Sequence, residues 1–122
     1  MINLLYVALG GALGAVLRYG FGRLALQLGG VGFPYGTLGV NIIGSLLMGL
    51  FIGLVVKNQA PHEAAHLFVA VGLLGGFTTF SSFSLDVVVL FQRGELWAAA
   101  LYAGASVVLA IGALFLGLAW MR

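Results

Sequence analysis

Cysteine is absent and charge is scarce, with five Lys and Arg and three Asp and Glu in 122 residues. The missing thiols exclude disulfides and thiolate metal sites and leave the redox compartment unmarked. The missing charge excludes an ordinary water-facing surface, since soluble domains carry roughly 25% charged residues and this chain carries 7%. An isoelectric point near 9.4 rests on so few groups that it does not point to nucleic acid. The connections between apolar runs are too short for an extramembrane domain: Gly29 to Tyr35, Lys57 to Glu63 and Arg93 to Glu95.

What is present is lipid-compatible length. The chain is 62% hydrophobic, its mean hydropathy is +1.18, and four runs reach the ~20 apolar residues that a membrane-spanning helix needs. Helices are expected at about residues 2–28, 36–56, 63–92 and 95–121, in a single transmembrane domain covering 1–122. The expected fold class is therefore an all-α membrane protein of four spans. The first run lacks a basic n-region and continues as a full span, so it does not read as a cleaved signal peptide.

Orientation normally follows the side with more Lys and Arg. With the N-terminus on one side, that side holds Lys57 and Arg122, and the other holds Arg23 and Arg93. Arg18 is expected to snorkel to the surface of Arg23. The bias is almost nil, which permits insertion in both orientations and pairing of opposite copies; a fixed topology set by other factors is the alternative.

Twenty glycines would weaken helices in water. In a bilayer, small residues four apart let backbones approach closely. Such pairs occur at Gly10/Gly14 and Gly11/Ala15, Gly49/Gly53, Gly72/Gly76 and Ala100/Gly104, one face or more per span. Close intramembrane packing accounts for them, and any face left over would suit a second copy.

The run Gly75-Gly76-Phe77-Thr78-Thr79-Phe80-Ser81-Ser82-Phe83-Ser84 interrupts the third span with glycines and hydroxyls. Irregular backbone at membrane depth survives only where protein buries it or where it lines a watery cavity. Unwinding near Gly75 to Thr79 would free carbonyl oxygens, hard ligands suited to an alkali cation. Phe80 and Phe83 share a helical face with Thr79 and Ser82. An aromatic ring has a positive edge, so such a pair can favour a small anion without a fixed charge that would hold it too tightly to release. Plain packing is the other reading of the two rings.

Thr37, Asn41 and Ser45 repeat every four residues on one face of the second span. Asn41 is either interhelical glue or part of a permeation path, since an unpartnered amide in hydrocarbon is costly. Tyr102 and Ser106 form a similar i, i+4 pair in the fourth span. Asp86 is the single intramembrane acid, either linked to Arg93 seven residues on or serving a proton relay. The sequence His62-Glu63-Ala64-Ala65-His66 matches the zinc-protease pattern H-E-x-x-H. No third ligand or substrate domain accompanies it, so it reads as a polar helix start with its acid near the N-terminus.

Three motifs together point to a family. Gly11-Ala12-Leu13-Gly14-Ala15-Val16-Leu17-Arg18-Tyr19, Gly36-Thr37-Leu38-Gly39-Val40-Asn41-Ile42-Ile43-Gly44-Ser45 and Gly75 to Phe83 resemble the signatures of CrcB/Fluc fluoride channels, in order and across the whole chain. The resemblance implies an antiparallel, dual-topology homodimer with two pores, exporting toxic fluoride across a bacterial inner membrane. It implies that Phe80 and Phe83 meet the ion by their ring edges and that Asn41 lines the pore. It places Thr37, Ser81 and Ser82 along a polar track, with Tyr102 and Ser106 in support. The carbonyls of Gly75 and Thr78 would bind a structural Na+ at the dimer centre, two from each subunit. Arg18 matches a family arginine and with Arg23 would shape an electropositive vestibule. Ser82 departs from the Thr common in the family but keeps its hydroxyl.

No nucleophile with its base is apparent, so passive conduction rather than enzymatic chemistry is expected. Fluoride must exchange its water shell for hydroxyl and amide donors, while the ring bulk excludes chloride. A proton-coupled multidrug exporter would need an acid in the first helix, which has none. A non-transporting assembly subunit would leave Asn41 and the hydroxyl–Phe face without purpose.

Overall fold

The computed structural model describes residues 1–59 and 63–122. Four helices among them are long and apolar enough to cross a membrane: Ile2–Gly29, Tyr35–Asn58, Glu63–Gln92 and Leu96–Trp120. Expected and observed bounds differ by a residue or two at most ends, as fraying allows.

The first span packs along the first half of the third, and the second packs along the fourth. Glycine explains why. A β-carbon on Gly14 would collide with the Leu73 carbonyl and lie 2.8 Å from the Phe77 nitrogen. Gly117 sits as tightly, 2.5 Å from the Leu46 carbonyl oxygen and 2.7 Å from the Leu50 nitrogen. Backbone therefore lies on backbone in both pairings, and dispersion replaces the hydrophobic drive that lipid cannot supply. The fourth span uses Gly117 for this contact, against the expectation of Ala100/Gly104. A β-carbon on Gly104 would meet nothing within 4 Å, so that small-residue face is turned away from the bundle.

The third span is not one helix. Glu63–Ala65 is α-helical, His66–Leu74 is a nine-residue π-helix, and Gly75–Phe77 returns to α geometry. Thr78 and Thr79 then leave the helical region, at φ −86°, ψ 158° and φ −154°, ψ 121°. A new helix, Phe80–Gln92, runs on to the far surface. The interruption expected near Gly75 to Thr79 is thus real but lies at the two threonines; both glycines remain helical. π-Helical turns are rare and recur at functional sites, and this one leads directly into the break.

The zinc-like motif lies partly outside the described residues, since His62 is not among them. Glu63 begins its helix, and its carboxylate accepts from Asn3 Nδ2 at 3.2 Å. His66 packs beside Phe51, with ring centroids 6.3 Å apart.

Candidate functional site

The two threonines are held open from opposite sides. Thr78 ends the upstream helix, its N–H and Oγ1 both donating to the Leu74 carbonyl at 3.0 and 2.9 Å. Thr79 caps the downstream helix, its Oγ1 accepting from the Ser82 N–H at 3.1 Å. Ser/Thr caps satisfy one of the free N–H groups of a helix start; those of Phe80 and Ser81 remain without a helical acceptor.

Asn41 clamps the gap. Its Oδ1 accepts the Thr79 N–H at 2.8 Å, and its Nδ2 donates to the Thr79 carbonyl at 3.0 Å. In a continuous helix the Thr79 N–H would bond Gly75, so this clamp releases the Gly75 carbonyl. Arg18 holds the other half: its Nε donates to the Gly76 carbonyl at 3.0 Å. Arg18 therefore turns inward to the break instead of running out to the membrane surface as expected, although it shares a cavity wall with Arg23. A cation at a helix C-terminus complements its dipole, and the carbonyl offers a bond that bulk lipid does not.

Two cavities meet at this gap. One, of about 290 Å³, has Arg18, Arg23, Thr37, Thr79 and Ser82 in its wall. The other, of about 310 Å³, is walled by Asn41, Ser45, Thr79, Phe80, Phe83 and Ser106 among others. The Thr37–Asn41–Ser45 stripe passes from the first cavity to the second, and Thr79 borders both. Ser45 and Thr79 thus belong to the site although the sequence reading gave them no assigned role; the every-fourth-residue spacing was the available signal for Ser45.

Phe80 and Phe83 do present one side, with centroids 5.4 Å apart and planes inclined by 47°. Phe83 continues onto Tyr102 at 5.3 Å, and Tyr102 meets the Phe33 ring edge at 5.5 Å. Phe80 is 77% exposed in the single chain, so nothing within this copy closes over it. Ser81 Oγ lies 3.2 Å from Thr79 Oγ1 and is otherwise open. Ser106 Oγ is buried without a hydrogen-bond partner among the described residues and borders the cavity of the two rings.

Tyr102 bonds across helices. Its side chain is fully buried, and its single proton is donated to Asp86 Oδ2 at 2.9 Å. That proton is committed to the acid rather than offered to the cavity. Asp86 does not reach Arg93 despite their helical spacing. Arg93 sits in the turn after the helix and donates to the Gly32 carbonyl at 3.0 Å and to Glu95 Oε2 at 2.7 Å. Arg93 and Asp86 border a third cavity of about 230 Å³ at that end.

A third span broken at Thr78 and Thr79, clamped by Asn41 and bordered by two cavities that carry hydroxyl side chains, defines a class: a small four-span membrane protein built to pass or hold ions. The model of the family described as CrcB-like protein, Camphor Resistance (CrcB), matches residues 5–118. The chain is 53% identical to a fluoride-specific ion channel FluC of Agrobacterium fabrum, over all of this chain and 98% of that one. It is 51% identical to one of Rhizobium etli, with the same coverage. A third, from Hyphomonas neptunium, is 53% identical over 99% of this chain and 95% of its own. The chain belongs to the CrcB-like family and is a multi-pass membrane protein.

Proposed function

We propose that this chain forms a passive, fluoride-selective channel that exports fluoride from the cytoplasm across a bacterial inner membrane. The observation that carries it is the Asn41–Thr79 clamp standing where two cavities meet, with hydroxyl side chains and two Phe rings in their walls. An anion entering beside Arg18 and Arg23 meets Thr37, Ser82 and then the Asn41 amide. Beyond the clamp, Phe80 and Phe83 offer ring edges and Ser106 an uncommitted hydroxyl. Donors replace the water shell, and weak donors permit exit. Tyr102 supports this path by positioning Asp86 and backing Phe83 rather than by bonding the ion. No step forms or breaks a covalent bond, so the protein is a channel and not an enzyme. Proteoliposomes loaded with fluoride should empty it without leaking chloride; equal chloride loss would refute the selectivity.

The same reading makes the working unit an antiparallel homodimer with two pores. The exposed Phe80 and the outward face of Gly104 leave the single chain open where a second copy would close it. Arg18 turned inward leaves Lys57 and Arg122 at one end against Arg23 and Arg93 at the other, two cations each. Appending several lysines after Arg122 should lock one orientation and abolish flux when that version is expressed alone. A partner locked oppositely by lysines in the 29–35 loop should restore it. Full flux from either locked version alone would exclude the antiparallel arrangement.

A Na+ at the dimer centre fits the chemistry of the break. Gly75 has lost its helical donor and Thr78 is extended, so each copy offers two hard carbonyl ligands, and pairing would supply four. A bound Na+ would fasten the two copies at their broken helices. A β-carbon on Gly75 would find only the Ala70 carbonyl, at 3.6 Å, so this chain itself tolerates a side chain there. Gly75→Val should therefore leave the fold intact while weakening dimerisation and flux, and replacing Na+ by a large organic cation should act the same way. Dimer stability and flux unchanged under both treatments would exclude the cation.

A further inference from the structure

A cavity of about 420 Å³ opens at the end of the molecule opposite Arg93, between the second and fourth spans. Its wall is Gly53, Val56 and Leu118, with Met121, Lys57 and Arg122 toward the membrane surface. The ion path does not use it. Neither cation has an acidic partner or a side-chain hydrogen bond among the described residues; the acid of this end, Glu63, is bonded to Asn3.

Helix capping does not explain the two cations. The Gln59 N–H closes the end of the second span onto the Val55 and Val56 carbonyls. The Met121 and Arg122 N–H groups close the fourth onto Ala119. The Val55, Val56 and Ala119 carbonyls therefore have backbone partners, and neither cation is bonded to a carbonyl among the described residues. What remains is an apolar slot with two cations, unpartnered among the described residues, where hydrocarbon gives way to headgroups. Basic pockets between spans suit lipid phosphates, whereas a free soluble anion gains nothing from Val56, Leu118 and Met121.

We infer that this groove seats an anionic phospholipid, its phosphate between Lys57 and Arg122 and the upper part of an acyl chain against Val56, Leu118 and Met121. The lipid would fill the gap between the ends of the second and fourth spans and fix their depth in the bilayer. The inference does not depend on what ion the protein passes.

Trp120, 78% exposed, neighbours the groove in the chain and gives the readout. The only other tryptophan, Trp97, lies at the start of the fourth span and is 89% exposed. Trp97→Phe therefore leaves a single reporter without disturbing packing. In bilayers mixing brominated phosphatidylglycerol with plain phosphatidylcholine, and the reverse, quenching of Trp120 gives the relative affinity of the two headgroups. The expected preference for phosphatidylglycerol is about fivefold or more, given roughly that factor for each cation near the surface. Lys57→Gln combined with Gln59→Lys moves one cation out of the last helical turn without altering the charge of that end, so orientation is preserved. That variant should lose at least half of the preference. Equal quenching by both lipids, an unchanged preference in the shifted variant, or no quenching by either (as a second copy covering the groove would give) would overturn the inference.

Discussion

Phe80→Ile and Phe83→Ile are each expected to reduce fluoride flux per folded protein by about two- to thirtyfold. Interactions of an ion with an aromatic quadrupole are worth roughly 0.5–2 kcal/mol, and each 1.36 kcal/mol on a barrier is about tenfold in rate. Isoleucine keeps bulk and apolarity but has no polarised edge. The two positions separate ion chemistry from packing in different ways. Phe80 is largely exposed in one copy, so its replacement should leave the stability of the single-chain fold nearly unchanged. Phe83 packs on Tyr102, so some stability should be lost along with flux. Phe→Tyr keeps a ring and Phe→Met a polarizable side chain, and both should be milder than isoleucine. Fluoride flux from proteoliposomes, normalised to folded protein, decides the matter. Wild-type flux in both isoleucine variants would remove the rings from the mechanism and leave them as packing.

The four spans were legible because lipid imposes one requirement on every position along a helix, and composition alone reports it. Local chemistry was legible too. A glycine-hydroxyl run marked the break, and i, i+3 spacing put Phe80 beside Phe83 as the structure has them. Position within the run was harder. Glycine signals permission to unwind, yet Gly75 and Gly76 stay helical. Gly76 is wanted for close approach, since a β-carbon there would lie 2.6 Å from the Gly11 carbonyl oxygen. The threonines unwind because Asn41, thirty-eight residues away from Thr79, takes both of its backbone groups.

Partners distant in sequence account for the other departures. Arg18 near a span end resembles a snorkelling cation, but the break creates a free carbonyl that it can reach. Asp86 and Arg93 share a face by count, yet the chain turns at Arg93 toward Gly32 while Tyr102 offers Asp86 a hydroxyl. The small-residue pair Ala100/Gly104 has the same spacing as the pairs that pack. Which side of the fourth helix faces the second is set by Gly49 and Gly117, and one chain's pattern does not rank two such faces. The π-helix had no sequence signal of its own.

Asn41→Leu is expected to be the most damaging single change in the second span, and Asn41→Asp to show why. Leucine matches the volume but leaves the Thr79 N–H and carbonyl without the clamp. Two stranded, half-buried polar groups cost roughly 1–3 kcal/mol each, so the folded protein should lose about 2–5 kcal/mol. To the extent that the third span relaxes toward continuous helix, with Thr79 returning to Gly75, that loss shrinks and the gap between the cavities closes instead. Aspartate keeps the acceptor for the Thr79 N–H and so preserves half the clamp. It loses the donor to the Thr79 carbonyl and sets a negative charge on the line between Thr37 and Ser45. Stability should therefore fall less than in the leucine variant, while fluoride flux should fall at least as far. Thermal unfolding in detergent and flux per folded protein measure the two effects separately. An Asn41→Asp protein conducting like wild type would take the amide out of the ion path. An Asn41→Leu protein melting like wild type would show that the break is held by the threonine caps without the clamp.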